Sequence, residues 1–103
     1  MNKNITLKEL QEFIKAKDNK TDRKHAYFMK LVEEVGELGR MIRKHDFEGE
    51  PIKEAEKGKI KDTLEEEMYD VLYYVMALAN LYDVDMEKCF RLKEDYNGTR
   101  TDH

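Results

Sequence analysis

Apolar residues recur along this chain at intervals of three and four, and they fall into four stretches, each of which predicts a helix. In the first, 7–17, Leu7, Leu10, Phe13 and Ile14 form one stripe, and Thr6-Leu7-Lys8-Glu9 offers a capping box at its start. Asp18-Asn19-Lys20-Thr21-Asp22 is a polar break. The second stretch, 23–44, repeats Phe28, Leu31, Val35, Leu38 and Ile42 in the alternating three-and-four spacing of a bundle seam. A charged connection follows, 45–61. Gly49, the only proline (Pro51) and Gly58 argue against regular helix throughout it, leaving room for one short helical turn near 53–57. In the third stretch, 63–82, Leu64, Met68, Val71, Leu72, Val75, Leu78, Ala79 and Tyr82 make a wide apolar face, and Thr63-Leu64-Glu65-Glu66 offers a second capping box. The fourth starts near Asp85, a good N-cap, and stops near Asn97-Gly98; Met86, Cys89, Phe90 and Lys93 share one side, with Tyr96 nearby. The residues after Gly98 read as a frayed end. The pattern predicts an all-α bundle of four helices, or five with the turn.

Composition narrows the class. A chain of 103 residues predicts one domain, 1–103, with a modest core that takes roughly 60–65 % of the unfolded surface out of water. Charged residues make up 41 % and apolar residues 40 %, which suits a helical protein that associates with copies of itself. The net charge of −4, with both signs interspersed, leaves no basic face for duplex nucleic acid. One cysteine, Cys89, excludes an intrachain disulfide framework and a cysteine-rich zinc site, and it reads as a small apolar helix residue. No signal-peptide pattern and no long uncharged apolar run is visible, so no membrane partner is expected and the expected location is the cytoplasm.

Candidate chemistry lies beside the seams. Glu34 and Glu37 are one turn apart on the second stretch, and Glu67 and Asp70 are one turn apart on the third. Residues three apart lie on one side of a helix, so each pair can aim at one spot. At roughly 100° per residue, Lys30, Glu34, Glu37 and Met41 form a stripe roughly 90° from the seam's centre, with Glu33 farther round. Glu67, Asp70 and Tyr74 run along one edge of the third apolar face. An isolated Glu-x-x-Glu is usually solvated surface charge; two pairs, each at the margin of an apolar stripe, can converge. Convergence is costly without a cation, because two carboxylates about 4 Å apart repel by about 4 kcal/mol at an effective dielectric of 20. No Glu-x-x-His occurs, which removes a di-iron bundle, and an all-oxygen set favours Mg²⁺ or Mn²⁺. Magnesium is commonly completed by substrate phosphates, so the expected substrate is a polyphosphate attacked by metal-activated water. Lys30, on the Glu34 stripe, and Lys93, Asn97 and Arg100, at the end of the fourth helix and in the tail, are candidate phosphate partners. For Lys93 an ordinary role at a helix C-terminus is the competing reading.

Glu33-Glu34-Val35-Gly36-Glu37-Leu38, followed by Glu67-Met68-Tyr69-Asp70, resembles the paired motifs Glu-Glu-x-x-Glu and Glu-x-x-Asp of the MazG-like, all-α nucleoside triphosphate pyrophosphatases. Lys93-x-x-x-Asn97-x-x-Arg100 resembles that family's C-terminal phosphate-contact motif, and the likeness covers roughly 24–100. The resemblance implies a bundle whose helices pair between subunits as a homodimer or homotetramer. It implies Mg²⁺-dependent hydrolysis of a (d)NTP to the monophosphate and pyrophosphate, in the service of nucleotide-pool cleaning. By position, Glu34, Glu37, Glu67 and Asp70 would hold the metal, and Glu33 would orient water. Glu34 or Glu37 would help deprotonate the attacking water. Lys30, Lys93, Asn97 and Arg100 would bind phosphates. Tyr74 would line the sugar or base pocket, a core-edge tyrosine being the alternative.

Two departures stand out. The stretch between Glu37 and Glu67 is long and heavily charged for the family. There is also no tryptophan, which relatives resembling the deoxycytidine triphosphatases use against the base; here Tyr27, Phe28, Phe47 or His25 would have to serve. The rival readings are a non-enzymatic helical interaction or regulatory domain with solubilising acids, and a phosphoribosyl-ATP pyrophosphohydrolase on the same scaffold.

Overall fold

The computed structural model describes residues 4–51 and 59–98. Four α-helices make it up: α1 (Leu7–Lys17), α2 (Lys24–Glu48), α3 (Leu64–Leu81) and α4 (Met86–Gly98), with a 3-10 turn, Thr21–Arg23, leading into α2. The protein is all-α, and no β-strand occurs among the described residues. The helical turn expected near 53–57 and the frayed end after Gly98 lie outside them.

Local chemistry sets most of the boundaries. The α1 capping box forms as expected: the Glu9 N–H donates to Thr6 Oγ1 at 3.0 Å and the Thr6 N–H donates to Glu9 Oε1 at 2.9 Å. At α4 the Lys88 N–H donates to Asp85 Oδ1 at 3.1 Å, the N-cap bond that Asp85 predicts. The second capping box is only half made. Thr63 Oγ1 accepts from the Glu66 N–H at 3.1 Å, but Glu66 Oε1 takes the Asp62 N–H at 2.9 Å, because the Thr63 N–H is already given to the Ile60 carbonyl.

Helix α2 corrects its expected end, running to Glu48 instead of Lys44. Nothing between His45 and Glu48 breaks a helix. The stop is Gly49, left-handed at φ 72°, whose N–H and that of Glu50 both turn back to the Lys44 carbonyl. Helix α3 ends with the same device but without the glycine. Asp83 is left-handed at φ 56°, with Asp83 N–H to Asn80 O at 3.3 Å and Val84 N–H to Ala79 O at 2.8 Å. A side chain is unfavourable there, so Asp83→Gly should stabilise the protein by about 0.5–1 kcal/mol. A melting temperature raised by a few degrees in thermal unfolding would show it.

Contacts along the helices fix their directions. His25 and Phe28 face Val75, Leu78 and Tyr82; Glu34 faces Glu67 and Asp70; Met41 and Lys44 face Leu64 and Met68. Helices α2 and α3 are therefore an antiparallel pair. Helix α1 is antiparallel to α3 on another side, since Asp18 meets Tyr73 while the Gln11 carbonyl accepts from Asn80 Nδ2 at 3.0 Å. Between them sits the core of Ile14, Tyr27, Met76, Ala77 and Leu81, with Leu7, Leu10 and Tyr73 packed around it. Only Ala79 of the buried residues on α3 belongs to the apolar face read from the sequence; Met76, Ala77 and Leu81 lie off it. A helix flanked on two sides has no single buried stripe.

Polar clamps close the core. Gln11 Nε2 donates to the Val84 carbonyl at 2.6 Å and its Oε1 accepts from the Met86 N–H at 3.1 Å, which holds the α3–α4 turn against α1. The Asp18 carboxylate accepts from both Tyr27, at 3.1 Å, and Tyr73, tying the end of α1 to the start of α2 and the middle of α3. At 11 residues and about 16 Å, α1 reaches only the C-terminal half of the 18-residue α3. Among the described helices the other half is covered by α2 alone, so Met68 and Leu72 stay exposed, as do Phe28, Val35 and Ile42 of the expected seam of α2 and Val32 beside it.

Candidate functional site

The uncovered half of α3 carries the acidic residues. Oxygens of Glu34, Glu67 and Asp70 lie within 4.8 Å of one another, so three of the four expected ligands meet at one point between α2 and α3. Exposure explains which glutamate of the Glu33-Glu34 pair turns inward: the Glu34 side chain is 17 % exposed and that of Glu33 is 62 %. Burial pushes the Glu34, Glu67 and Asp70 carboxyls above their ordinary range, and negative neighbours add to it: Asp70 and Glu37 for Glu34, Asp70 and Glu34 for Glu67, and Glu66 for Asp70. The Oε2 atom of Glu67 is buried and has no hydrogen-bond partner, an expensive arrangement unless something else satisfies it.

Glu37 is not drawn into this group. Its Oε2 accepts a 2.6 Å charge-assisted hydrogen bond from Arg40 Nη2, one turn along α2, although its charge is felt by both Glu34 and Glu67. Arg40 was missed from the sequence; an opposite charge three residues after Glu37 was the signal available.

Lys30 lies at the rim. Its Nζ is 3.2 Å from Glu33 Oε2, 4.0 Å from Glu34 Oε1 and 5.9 Å from the centre of the Tyr74 ring. Its pKa is raised, first by the hydrogen bond to Glu33. Tyr74 is half-buried, packed against the core on one side, as the core-edge reading expects, and beside Lys30 on the other.

The α4 residues lie apart from the cluster. Helix α4 docks on α1; Lys93 Nζ sits over the Tyr96 ring at 5.1 Å and Asn97 Nδ2 donates to Glu94 Oε2 at 3.3 Å. Arg100 lies outside the described residues. Among the candidates to stack on a base, Tyr27 is withdrawn: it is 8 % exposed, with its hydroxyl spent on Asp18. His25 and Phe28 line an open groove with Leu78 and Tyr82, and Phe47 is 84 % exposed near the end of α2. A cavity of about 510 Å³ opens at that end, bordered by Arg40, Met41, Lys44, His45, Leu64 and Met68.

The donor set suits a hard divalent cation: three carboxylates, no nitrogen or sulfur ligand among them, and one buried oxygen unsatisfied by protein. Fold and site together define an all-α protein with an oxygen-only acidic centre between two antiparallel helices. The chain belongs to the MazG nucleotide pyrophosphohydrolase family, whose domain model matches residues 22–102. It is similar to crystal structures of iMazG from Vibrio DAT 722. The Ctag form is 43 % identical with a TM-score of 0.81, over 92 % of this chain and 100 % of that one. The Ntag form is 41 % identical with a TM-score of 0.81, over 96 % and 100 %. YvdC of Bacillus subtilis is 32 % identical over 75 residues, 71 % of each chain. YpjD of the same organism is 38 % identical over 63 residues, 61 % of this chain and 53 % of that protein. Among the described residues no helix is long and apolar enough to cross a membrane.

Proposed function

We propose that the protein hydrolyses nucleoside or deoxynucleoside triphosphates to the monophosphate and pyrophosphate with Mg²⁺, or Mn²⁺ in its place, as part of cleaning the nucleotide pool. The observation that carries this reading is the buried, unpartnered Glu67 oxygen at the meeting point of Glu34 and Asp70, in a chain of the nucleotide pyrophosphohydrolase family. Glu34, Glu67 and Asp70 would hold the ion, joined by Glu37 once it leaves Arg40. A bound divalent ion supplies charge neutralisation for the carboxylates and the phosphates. Glu33, exposed and already paired with Lys30, orients the attacking water, and Glu34 or Glu37 takes its proton. Lys30 offsets phosphate charge, and Tyr74 shapes the adjoining wall.

Lys93, Asn97 and Arg100 enter this reading through association. The exposed apolar residues Val32, Val35, Met68 and Leu72 lie on the two helices that carry the acidic centre and would be covered by a second copy in a homodimer or homotetramer. Light scattering should then give a mass of two or four chains; a monomer at micromolar concentration would overturn the assembly.

The activity is tested by incubating the protein with each of the eight standard nucleotides, and with phosphoribosyl-ATP, in the presence of Mg²⁺ or Mn²⁺. The expected product is pyrophosphate in at least one (d)NTP reaction. Release of inorganic phosphate alone, or no metal-dependent turnover of any (d)NTP, would overturn it.

A further inference from the structure

Arg40 has no place in the reading so far, yet it holds the one expected ligand that stands outside the carboxylate group. The Glu37–Arg40 contact is short, 2.6 Å, but exposed: the two side chains are 49 % and 55 % accessible. Exposed ion pairs are weak and readily exchanged. A divalent cation held by Glu34, Glu67 and Asp70 is a stronger competitor for Glu37 than one guanidinium. Arg40 also borders the cavity of about 510 Å³, whose other walls include Lys44 and His45, the acidic Asp46, Glu50 and Asp62, and the apolar side chains of Met41, Leu64 and Met68. That volume lies in the range of small-molecule sites. A guanidinium released there presents a planar fork of donors suited to a phosphate.

We propose that Arg40 changes partner during the cycle: it holds Glu37 away from the acidic centre before the metal binds, and when the metal takes Glu37 it turns into the adjoining cavity to bind a phosphate of the nucleotide. The proposal rests on the metal site described above. It makes Arg40 both a brake on metal binding and an arm for substrate, so its removal moves the two affinities in opposite directions. A residue that only supported the helix would not do this.

The test measures Mn²⁺ affinity from the electron paramagnetic resonance signal of the free ion. The affinity for an α,β-methylene deoxynucleoside triphosphate with saturating Mn²⁺ is then measured by calorimetry. The proteins are the natural chain, Arg40→Gln and Arg43→Gln. Arg43 is the control for loss of one positive charge on α2, since it pairs with Glu48 at 3.6 Å and not with Glu37. In Arg40→Gln the Mn²⁺ affinity should rise roughly twofold to fivefold, the scale of an exposed ion pair. The analogue should bind roughly tenfold more weakly, the scale of one charge-assisted hydrogen bond. Arg43→Gln should leave both within about a factor of two. If Arg40→Gln binds Mn²⁺ no more tightly than Arg43→Gln, or binds the analogue as well as the natural chain, the exchange is refuted while the metal site stands. If the natural chain binds no Mn²⁺, both are refuted.

Discussion

Replacing Glu67 with glutamine should produce a protein that is more stable without metal and inert with it. The natural carboxylate has a buried oxygen with no partner and two acidic neighbours, Glu34 and Asp70, so its ionised form is unfavourable in the metal-free fold. An amide of the same shape removes one of the converging charges, and a gain of about 1–2 kcal/mol is expected, equivalent to several degrees in melting temperature. The metal response should disappear together with the charge. Millimolar Mg²⁺ should raise the melting temperature of the natural chain, because an ion that binds only the folded state stabilises it. The variant should show no rise, and its pyrophosphatase activity should fall by more than about a hundredfold, since even the loss of a group that supports a metal ligand costs 10–100-fold. A variant that still gains stability from Mg²⁺ would remove Glu67 from the site.

The same substitution carries a pH signature. Glu34, Glu67 and Asp70 have pKa values raised in the folded protein, so below the ordinary carboxylate range both folded and unfolded chains hold these protons and no stability is lost. As pH climbs through the raised values, the folded state binds more protons than the unfolded one and stability drains away. The stability advantage of Glu67→Gln should therefore be small near pH 4 and widen toward pH 7, read from metal-free melts in a chelator.

The second large effect is expected far from this chemistry. Ile14 is wholly buried, in contact with a core that also contains Met76, Ala77 and Leu81 of α3. Truncating it to alanine removes three carbons from a small cluster and should cost about 2–5 kcal/mol. For a chain of this size that corresponds to a melting temperature lower by about 10–20 °C or more, a large part of the whole stability. Far-ultraviolet circular dichroism during heating reads it directly. A loss below about 1 kcal/mol would mean that α1 is not a structural part of the bundle. The two substitutions thus separate a charge that the proposed metal site needs from a hydrocarbon on which the fold depends.

What the sequence makes legible here is local. Thr6 with Glu9, and Asp85 with Lys88, meet within three residues, so the beginnings of α1 and α4 follow from spacing alone. The convergence of Glu34 with Glu67 and Asp70 is allowed by their places beside apolar stripes but not fixed by them, since Val35, Ile42, Met68 and Leu72 of those stripes are exposed. Three things depended on tertiary neighbours. The buried side of α3 shifted toward Met76, Ala77 and Leu81 because α1 packs there as well as α2. The position of Glu37 is decided by a rival cation at the next turn, which competes with a convergence that spacing alone would allow. Tyr27 looked like a free aromatic until Asp18 and the core claimed it.

The short reach of α1 gives α3 two ends of unequal cohesion. Backbone amides around Met76 to Leu81 lie under both α1 and α2, whereas among the described helices those around Glu67 to Leu72 are shielded by α2 alone. Native-state hydrogen exchange should therefore find the C-terminal turns of α3 opening only with global unfolding, and the acid-bearing turns opening earlier, through local fluctuations. The acid-bearing end of this helix would then acquire its rigidity last, from whatever settles upon it.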